Sequence, residues 1–551
     1  MSPEEGKLSP EEEQNIMDMV VERLKLQPEF IESVRKLQAA TTMKEALEAF
    51  EAERRMILEE AGPEAVEKQH KLGRLTARER VSKLVDKGTF HELDLWHRPY
   101  ETGFDIGEER GRGDGVVIGY ARIGGRPVSL YAQDATIMDG TVATVHARKI
   151  NMIMDDTLSA KVPMVGIFDS KGLRAHDVIQ YPDFFSPGTM AYFQAQASGV
   201  LPTIALVMGP CTGDMALVAS LSDFVFMVRD TSYMHLASPP EGVTSQELGD
   251  PWNVHAKVSG CCDVICDDEQ DCLRKCRQLL SFLPLSNAEK PPVADTGDDP
   301  NRCDEDLLEI VPTNSKIPYN MYKIISMIVD NGEFFELKRY WASNNIIGFC
   351  RFGGKTVGLV ASNPQVKAGC MNIDAANKQA RFTRFCDAFG IPIVWLVDCP
   401  AFLPALEEET RGLIRTACGV IYANGEATVP QITVFLRKIY GGGIFGNTGK
   451  FLGGDLQIAW PTYEPGLMGP EGAVSIIYRK ELEAIQDPVE KARQTKIRVE
   501  EMRWGNILQT REGNQNYIDP RETRPWIISA LDWLENRKEE TAERKHENHR
   551  V

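Results

Sequence analysis

No stretch of this sequence approaches the roughly 18 consecutive apolar residues that a membrane-spanning helix needs. Positive charge is also short. The chain has 62 Lys and Arg against 80 Asp and Glu, a formal net charge of −18, which argues against nucleic acid or an anionic membrane as the main partner. The opening Met-Ser-Pro-Glu-Glu is acidic, so no signal peptide is expected there. Without a secretory signal, the twelve cysteines read as reduced thiols of a cytoplasmic protein. A GxxxxGK[ST] P-loop is missing, as is a GxGxxG fingerprint followed by an acidic ribose ligand, which disfavours a nucleotide hydrolase.

What is present is a soluble globular composition, 42% hydrophobic and 26% charged, over 551 residues. That length is too great for one ordinary core and implies two or three domains. Apolar Ile16, Val20, Leu24, Met43, Leu47, Phe50 and Met56 recur at helical spacing and predict a helical N-terminal arm over residues 1–70, read as a packing or oligomer-contact element. A first domain is expected over 71–284 and a second over 316–534. Between them a linker at 285–315 contains the Pro- and Asp-rich stretch Ser286–Asp304, and a charged tail fills 535–551.

The two domains read as distant copies. Domain one has Gly125-Arg-Pro-Val-Ser-Leu-Tyr-Ala, a helical stretch 145–158, a buried strand ending at Asp169, and a run leading to Gly209-Pro-Cys-Thr-Gly213. Domain two repeats this order with Gly354-Lys-Thr-Val-Gly-Leu-Val-Ala, a helical stretch 375–389, a strand ending at Asp398, and a run leading to Tyr440-Gly-Gly-Gly443. Alternating apolar strands and helices predict an α/β fold of stacked β-β-α units.

Two glycine-containing loops follow strand-like runs: Asp169-Ser-Lys-Gly-Leu-Arg174 and Tyr440-Gly-Gly-Gly-Ile-Phe445. Glycines leave successive N–H groups free to converge on one oxygen, and a helix N-terminus adds positive potential. The pair reads as the same kind of oxyanion cradle built twice, which suits chemistry in which two carbonyl groups become enolate-like in turn. His176 and Asp177, just beyond the first loop, are candidates for a general base and its orienter or for polar contacts. Lys171 is either a partner for a substrate carboxylate or a solvated cation. Cys261, Cys262, Cys266, Cys272 and Cys276 lack the paired CxxC spacing of a zinc ribbon, and no metal is expected.

The run Lys71-Leu-Gly-Arg-Leu-Thr-Ala-Arg-Glu-Arg80, with Gly113-Asp-Gly-Val-Val117, His146-Ala-Arg-Lys149 and Val207-Met-Gly-Pro-Cys-Thr-Gly213, resembles the biotin-dependent acyl-CoA carboxyltransferases, the β-subunit family of propionyl-CoA carboxylase. Domain two adds Asp398-Cys-Pro-Ala-Phe-Leu-Pro404, Glu426-Ala-Thr-Val-Pro430, Arg437-Lys-Ile-Tyr-Gly-Gly442 and Ala459-Trp-Pro461, and the similarity spans roughly residues 68–530. The resemblance implies tandem crotonase-like (ClpP/crotonase) β-β-α superhelix domains, the first on the acyl-CoA side and the second on the biotin side. It implies a subunit that moves a carboxyl group between carboxybiotin and the α carbon of an acyl-CoA. The same cradles would serve a decarboxylase running in reverse, and a degenerate structural subunit of a mixed complex is a third reading.

Carried over by resemblance, the N–H groups of Gly442 and Gly443 hold the biotin ureido oxygen and those of Lys171 and Gly172 the thioester oxygen. Phe402, Leu403, Tyr440 and Gly441 flank the biotin. Leu173, Arg174, Cys211, Thr212, Gly213, Ile444 and Phe445 surround the substrate. No side-chain acid or base is required. An Ala-Met-Lys-Met biotinylation site and an ATP-grasp-like region are both missing from the sequence, so a biotin carboxyl carrier protein, and for carboxylation a biotin carboxylase, are implied as partners. The family also implies an active site between subunits of a homohexamer or mixed hexamer, a trimer of dimers. The chain departs from the family at Lys171 and Leu173, where Ser-Gly-Gly-Ala-Arg is usual, at Ala401 and Ala405, where glycine is usual, and at Asp214, where a small residue is usual.

Overall fold

A computed structural model describes residues 9–24, 28–59, 61–97, 113–180, 185–511 and 516–537. Residues 538–551 of the expected charged tail lie outside the described residues. No described helix is long and apolar enough to cross a membrane.

Two eight-stranded sheets share one topology. The first contains β1 (His91–Leu93), β2 (Val116–Ile123), β3 (Arg126–Gln133), β4 (Met164–Ser170), β5 (Thr203–Thr212), β6 (Phe224–Val228), β7 (Tyr233–His235) and β8 (Val264–Cys266). The second contains β9 (Phe334–Leu337), β10 (Asn345–Phe352), β11 (Lys355–Ser362), β12 (Ile393–Cys399), β13 (Gln431–Tyr440), β14 (Leu456–Ala459), β15 (Glu464–Gly466) and β16 (Asn516–Tyr517). Each opens with an antiparallel hairpin, β2–β3 or β10–β11, and continues in parallel through β4–β5–β6–β8 or β12–β13–β14–β16, with β7 on β5 and β15 on β13.

Residue choice explains these elements. The hairpins turn at Gly124-Gly125 and Gly353-Gly354, whose φ values of 59°, 76°, 57° and 80° are those a two-residue turn demands of both central positions. β4 and β12 are buried at every residue, as parallel strands covered on both faces must be. The helices Thr144–Ala160 and Ile373–Ala388 cover one face of their sheets. Each inserts a buried lysine: Lys149 donates to the Gly113 and Val116 carbonyls, and Lys378 to four carbonyls between Lys338 and Asn345. The lysines thus tie each helix to the chain just before its hairpin.

The domains meet through a shared apolar core. Phe224 of the first packs edge-on to Phe385 and Phe349 of the second, with ring centroids 4.7 and 6.0 Å apart. The expected linker is irregular apart from the short helix Leu307–Ile310, and its stretch around Pro292–Ala294 is stitched to the second hairpin. Ala294 N–H donates to the Gly354 carbonyl at 3.0 Å, and Thr356 Oγ1 to the Pro292 carbonyl at 2.8 Å. The N-terminal arm is helical over Pro10–Leu24, Pro28–Ala39, Met43–Leu58 and Gly62–Lys71. Phe50 of the arm stacks on Trp96 with centroids 4.9 Å apart.

Candidate active site

Both central strands end in a buried aspartate at the same irregularity, a register shift between Phe168 and Ser170 in β4 and between Val397 and Cys399 in β12. Asp169 accepts from Arg80 Nη1 at 2.8 Å, Gln69 Nε2 at 2.9 Å and Arg74 Nη1 at 3.3 Å. Arg80 is fully buried and continues to Glu269 at 2.6 and 3.0 Å. Asp398 accepts from Arg437 Nε and from the Lys438 N–H, each at 3.1 Å. These clamps set where the following loops begin. They also explain the motif Lys71–Arg80, whose Arg74 and Arg80 both close on Asp169.

The loops after β4 and β12 correspond bond for bond. Val142 N–H donates to the Gly172 carbonyl and Arg174 N–H back to Val142, both at 2.8 Å. In the second domain Met371 N–H donates to Ala401 at 3.0 Å and Leu403 N–H back to Met371 at 2.8 Å. Gly172 therefore matches Ala401, and Leu173 matches Phe402. The helices after β5 and β13 correspond as well. Gly213 and Gly441 precede them with φ of 62° and 45°, and their N–H groups donate to His235 and Gly466 at 3.0 Å. Asp214 thus matches Gly442, and Met215 matches Gly443.

This corrects the expectation that the two cradles are copies of one another. The Lys171–Gly172 loop is the counterpart of Pro400–Ala401, and Gly442–Gly443 is the counterpart of Asp214–Met215. Each domain makes its site from both kinds of loop, laid against one another. A β-carbon on Gly172 would fall 3.1 Å from Thr212 Oγ1. One on Gly443 would fall 2.8 Å from the Cys399 carbonyl oxygen, and one on Gly442 2.9 Å from Phe402 Cδ2.

The free donors correspond between the sites. Among the described residues, nothing accepts from the N–H groups of Gly442 and Gly443, and the same holds for Leu173 and Asp214. Lys171 N–H donates to the Asp139 carbonyl, and Gly172 N–H to Ser170 Oγ, each at 3.2 Å. The spare donors of the first domain are Leu173, Asp214 and Met215, matching Phe402, Gly442 and Gly443 of the second. The sequence signal that could have found them is the glycine run of the second domain projected through the repeat.

Around the second site, Tyr440 is buried and its hydroxyl donates to Glu464 at 2.6 Å, which holds the strand end before Gly441. Phe402, Leu403 and Ile444 are half-buried beside the glycines, and Phe445 is 51% exposed. Around the first, Leu173 is 37% exposed, and Thr212 and Gly213 form the rim. Cys211 is fully buried, and burial pushes its thiol up. Arg174 was expected at the substrate, but its guanidinium is enclosed by Asp114, Thr141 and Asp177. It braces the loop from behind. His146 is buried too, its ring against the Asp114 carbonyl at 2.9 Å and its pKa held down to about 3 by burial, which removes it from the site chemistry. Asp177 lies buried 3.7 Å from Arg174. Cys262, Cys266, Cys272 and Cys276 are core thiols, and Cys261 is half-buried.

Comparison with known proteins agrees with this geometry. The carboxyl transferase domain matches residues 68–549. The α subunit of methylmalonyl-CoA decarboxylase from Veillonella parvula is 40% identical over 92% of this chain and 99% of its own. The propionyl-CoA carboxylase β chain of Roseobacter denitrificans is 39% identical over the same shares. Among solved structures, the transcarboxylase 12S hexamer with methylmalonyl-CoA bound superimposes with a TM-score of 0.87 at 35% identity, covering 93% of this chain and 99% of that one. Two crotonase-like domains in tandem, each ending its central strand in a clamped aspartate and a loop of backbone donors, place this chain in the carboxyl transferase domain family.

Proposed function

We propose that the chain is the subunit that moves a carboxyl group between carboxybiotin on a partner protein and an acyl-CoA. The observation that carries this reading is the pair of unpartnered N–H groups at Gly442 and Gly443, at a helix start where glycine is sterically required. That cradle fits the ureido oxygen of biotin, since a β-carbon at either position would run into Phe402 or Cys399. Bound there, biotin supplies the carrier from which a carboxyl group is released and to which it can return.

The protein does the rest with its backbone. Gly442 and Gly443 hold an oxygen that gains negative charge, and the short helix they begin adds its positive end. Phe402, Leu403 and Tyr440 give this pocket its walls. The loop Lys171–Leu173, with Thr212 and Gly213 against it, holds the thioester oxygen and so favours loss of the α proton. Ile444 and Phe445 border the acyl chain. Each donor is worth on the order of 10²–10³ in rate, and holding the two partners in reach supplies much of the remainder.

Because the cradles act on the oxygens and not on the direction of transfer, they serve carboxylation and decarboxylation alike, and the relatives include both kinds of enzyme. A biotin carboxyl carrier and a hexameric assembly complete the proposal, supported by the hexamer of transcarboxylase 12S. The test is formation of propionyl-CoA from methylmalonyl-CoA by the purified chain with and without free biotin as acceptor of the carboxyl group. Dependence on biotin supports the assignment. Activity seen only after adding a paralogous chain favours a structural role instead.

A further inference from the structure

The first loop carries a charge pair that the second does not. Lys171 Nζ lies 3.0 Å from Asp139 Oδ2 with both side chains half exposed, and the lysine's N–H donates to the Asp139 carbonyl. The matching residues of the second domain, Pro400 and Ala368, can make neither bond. Yet the turn is the same there: φ is 49° and 53° at Lys367 and Ala368, against 46° and 55° at Met138 and Asp139. The left-handed turn therefore persists without a bond from the neighbouring loop, and the Lys171–Asp139 pair is not what the fold needs.

Lys171 also lines a cleft of about 460 Å³, together with Lys68, Arg74, Asp139 and Asp169. Asp169 is already enclosed by Arg80, so the cleft has more cation than anion to offer. Arg74 Nε is buried there with no hydrogen-bond partner. A half-exposed ion pair is worth only about 0–1 kcal/mol, so an incoming carboxylate can replace Asp139 on Lys171 at small cost.

We propose that Lys171 is a specificity residue that binds a carboxylate at the far end of the acyl group, separate from the α carbon at which the carboxyl group is exchanged. The preferred thioester is then that of a dicarboxylic acid. Binding draws Nζ from Asp139 to the substrate carboxylate. This inference rests on the assignment of the first loop to the thioester.

Isothermal titration of the full chain with succinyl-CoA, butyryl-CoA and CoA tests it. Succinyl-CoA should bind about tenfold tighter than butyryl-CoA, the worth of one charge-assisted hydrogen bond. Lys171→Met should abolish that difference by lowering succinyl-CoA affinity, with an unchanged melting temperature reporting that the variant is folded, and Lys171→Arg should retain it. Equal wild-type affinities for the two thioesters overturn the proposal. So does equal weakening of both in Lys171→Met, which would assign the lysine to the CoA moiety. If neither thioester binds tighter than CoA itself, the thioester assignment is what fails.

Discussion

Gly443 lies so close to Cys399 that a β-carbon would sit 2.8 Å from the cysteine's carbonyl oxygen. The loop after β13 can therefore meet the loop after β12 only through a glycine. That contact keeps the Gly442 and Gly443 N–H groups together at the start of one short helix, with no acceptor among the described residues.

The clamp beneath the first site should be a large stability element. Arg80→Met leaves Glu269 buried without its counter-ion and Asp169 with Arg74 alone, a situation that costs about 3–5 kcal/mol. Denaturant unfolding of the first domain should show it, with the midpoint lowered at an unchanged slope. A loss under about 1 kcal/mol would mean that Arg74 and Gln69 suffice to hold Asp169.

Arg174 and Leu173 are neighbours with opposite expected effects. Arg174→Gln abandons Asp114 inside the protein and should lower the melting temperature through the loss of a buried pair. Leu173→Ala removes a side chain that is 37% exposed and should cost under about 1 kcal/mol while raising KM for the acyl-CoA. If Arg174→Gln instead raised KM at full stability, the arginine would belong to the substrate.

His146 predicts an acid limit. Its folded pKa is about 3, lowered chiefly by burial, against about 6.5 when unfolded. The unfolded chain therefore takes up a proton that the native chain refuses. The histidine's contribution is intact above pH ~6.5 and is lost as pH falls toward 3, at roughly 1.4 kcal/mol per unit. Stability measured at pH 7 and pH 5 should differ by about 2 kcal/mol more in the wild type than in His146→Gln. Equal differences would show that the ring is already protonated in the fold.

Much of this was legible in the residues. The repeated order of apolar runs marked both sheets, since β4 and β12 are apolar along nearly their whole length. The triple glycine marked a close backbone approach that the structure places against Cys399 and Phe402. What could not be read was which loops face one another. That depends on single bridges, Val142 to Leu173 and Met371 to Phe402, which no local pattern encodes. Arg174 looked like a substrate residue because its partner Asp114 lies 60 residues earlier. Arg80 reaches Asp169 across 89 residues, so its role emerges only once the helix Ala77–Leu84 is packed on the first sheet. The strand ends Asp169 and Asp398 and the runs that contain Arg80 and Arg437 were each visible, but the contacts that join them were not.

The account stands or falls on the backbone cradle at Gly442 and Gly443. The most direct measurement is biotin-dependent conversion of methylmalonyl-CoA to propionyl-CoA by Gly443→Ala, with CoA affinity determined on the same preparation. The added methyl group displaces the donors from the ureido site and leaves the first domain untouched. Turnover should fall by about 10²–10³ while CoA binds as in the wild type. Unchanged turnover, or a matching loss of CoA affinity, would contradict the assignment.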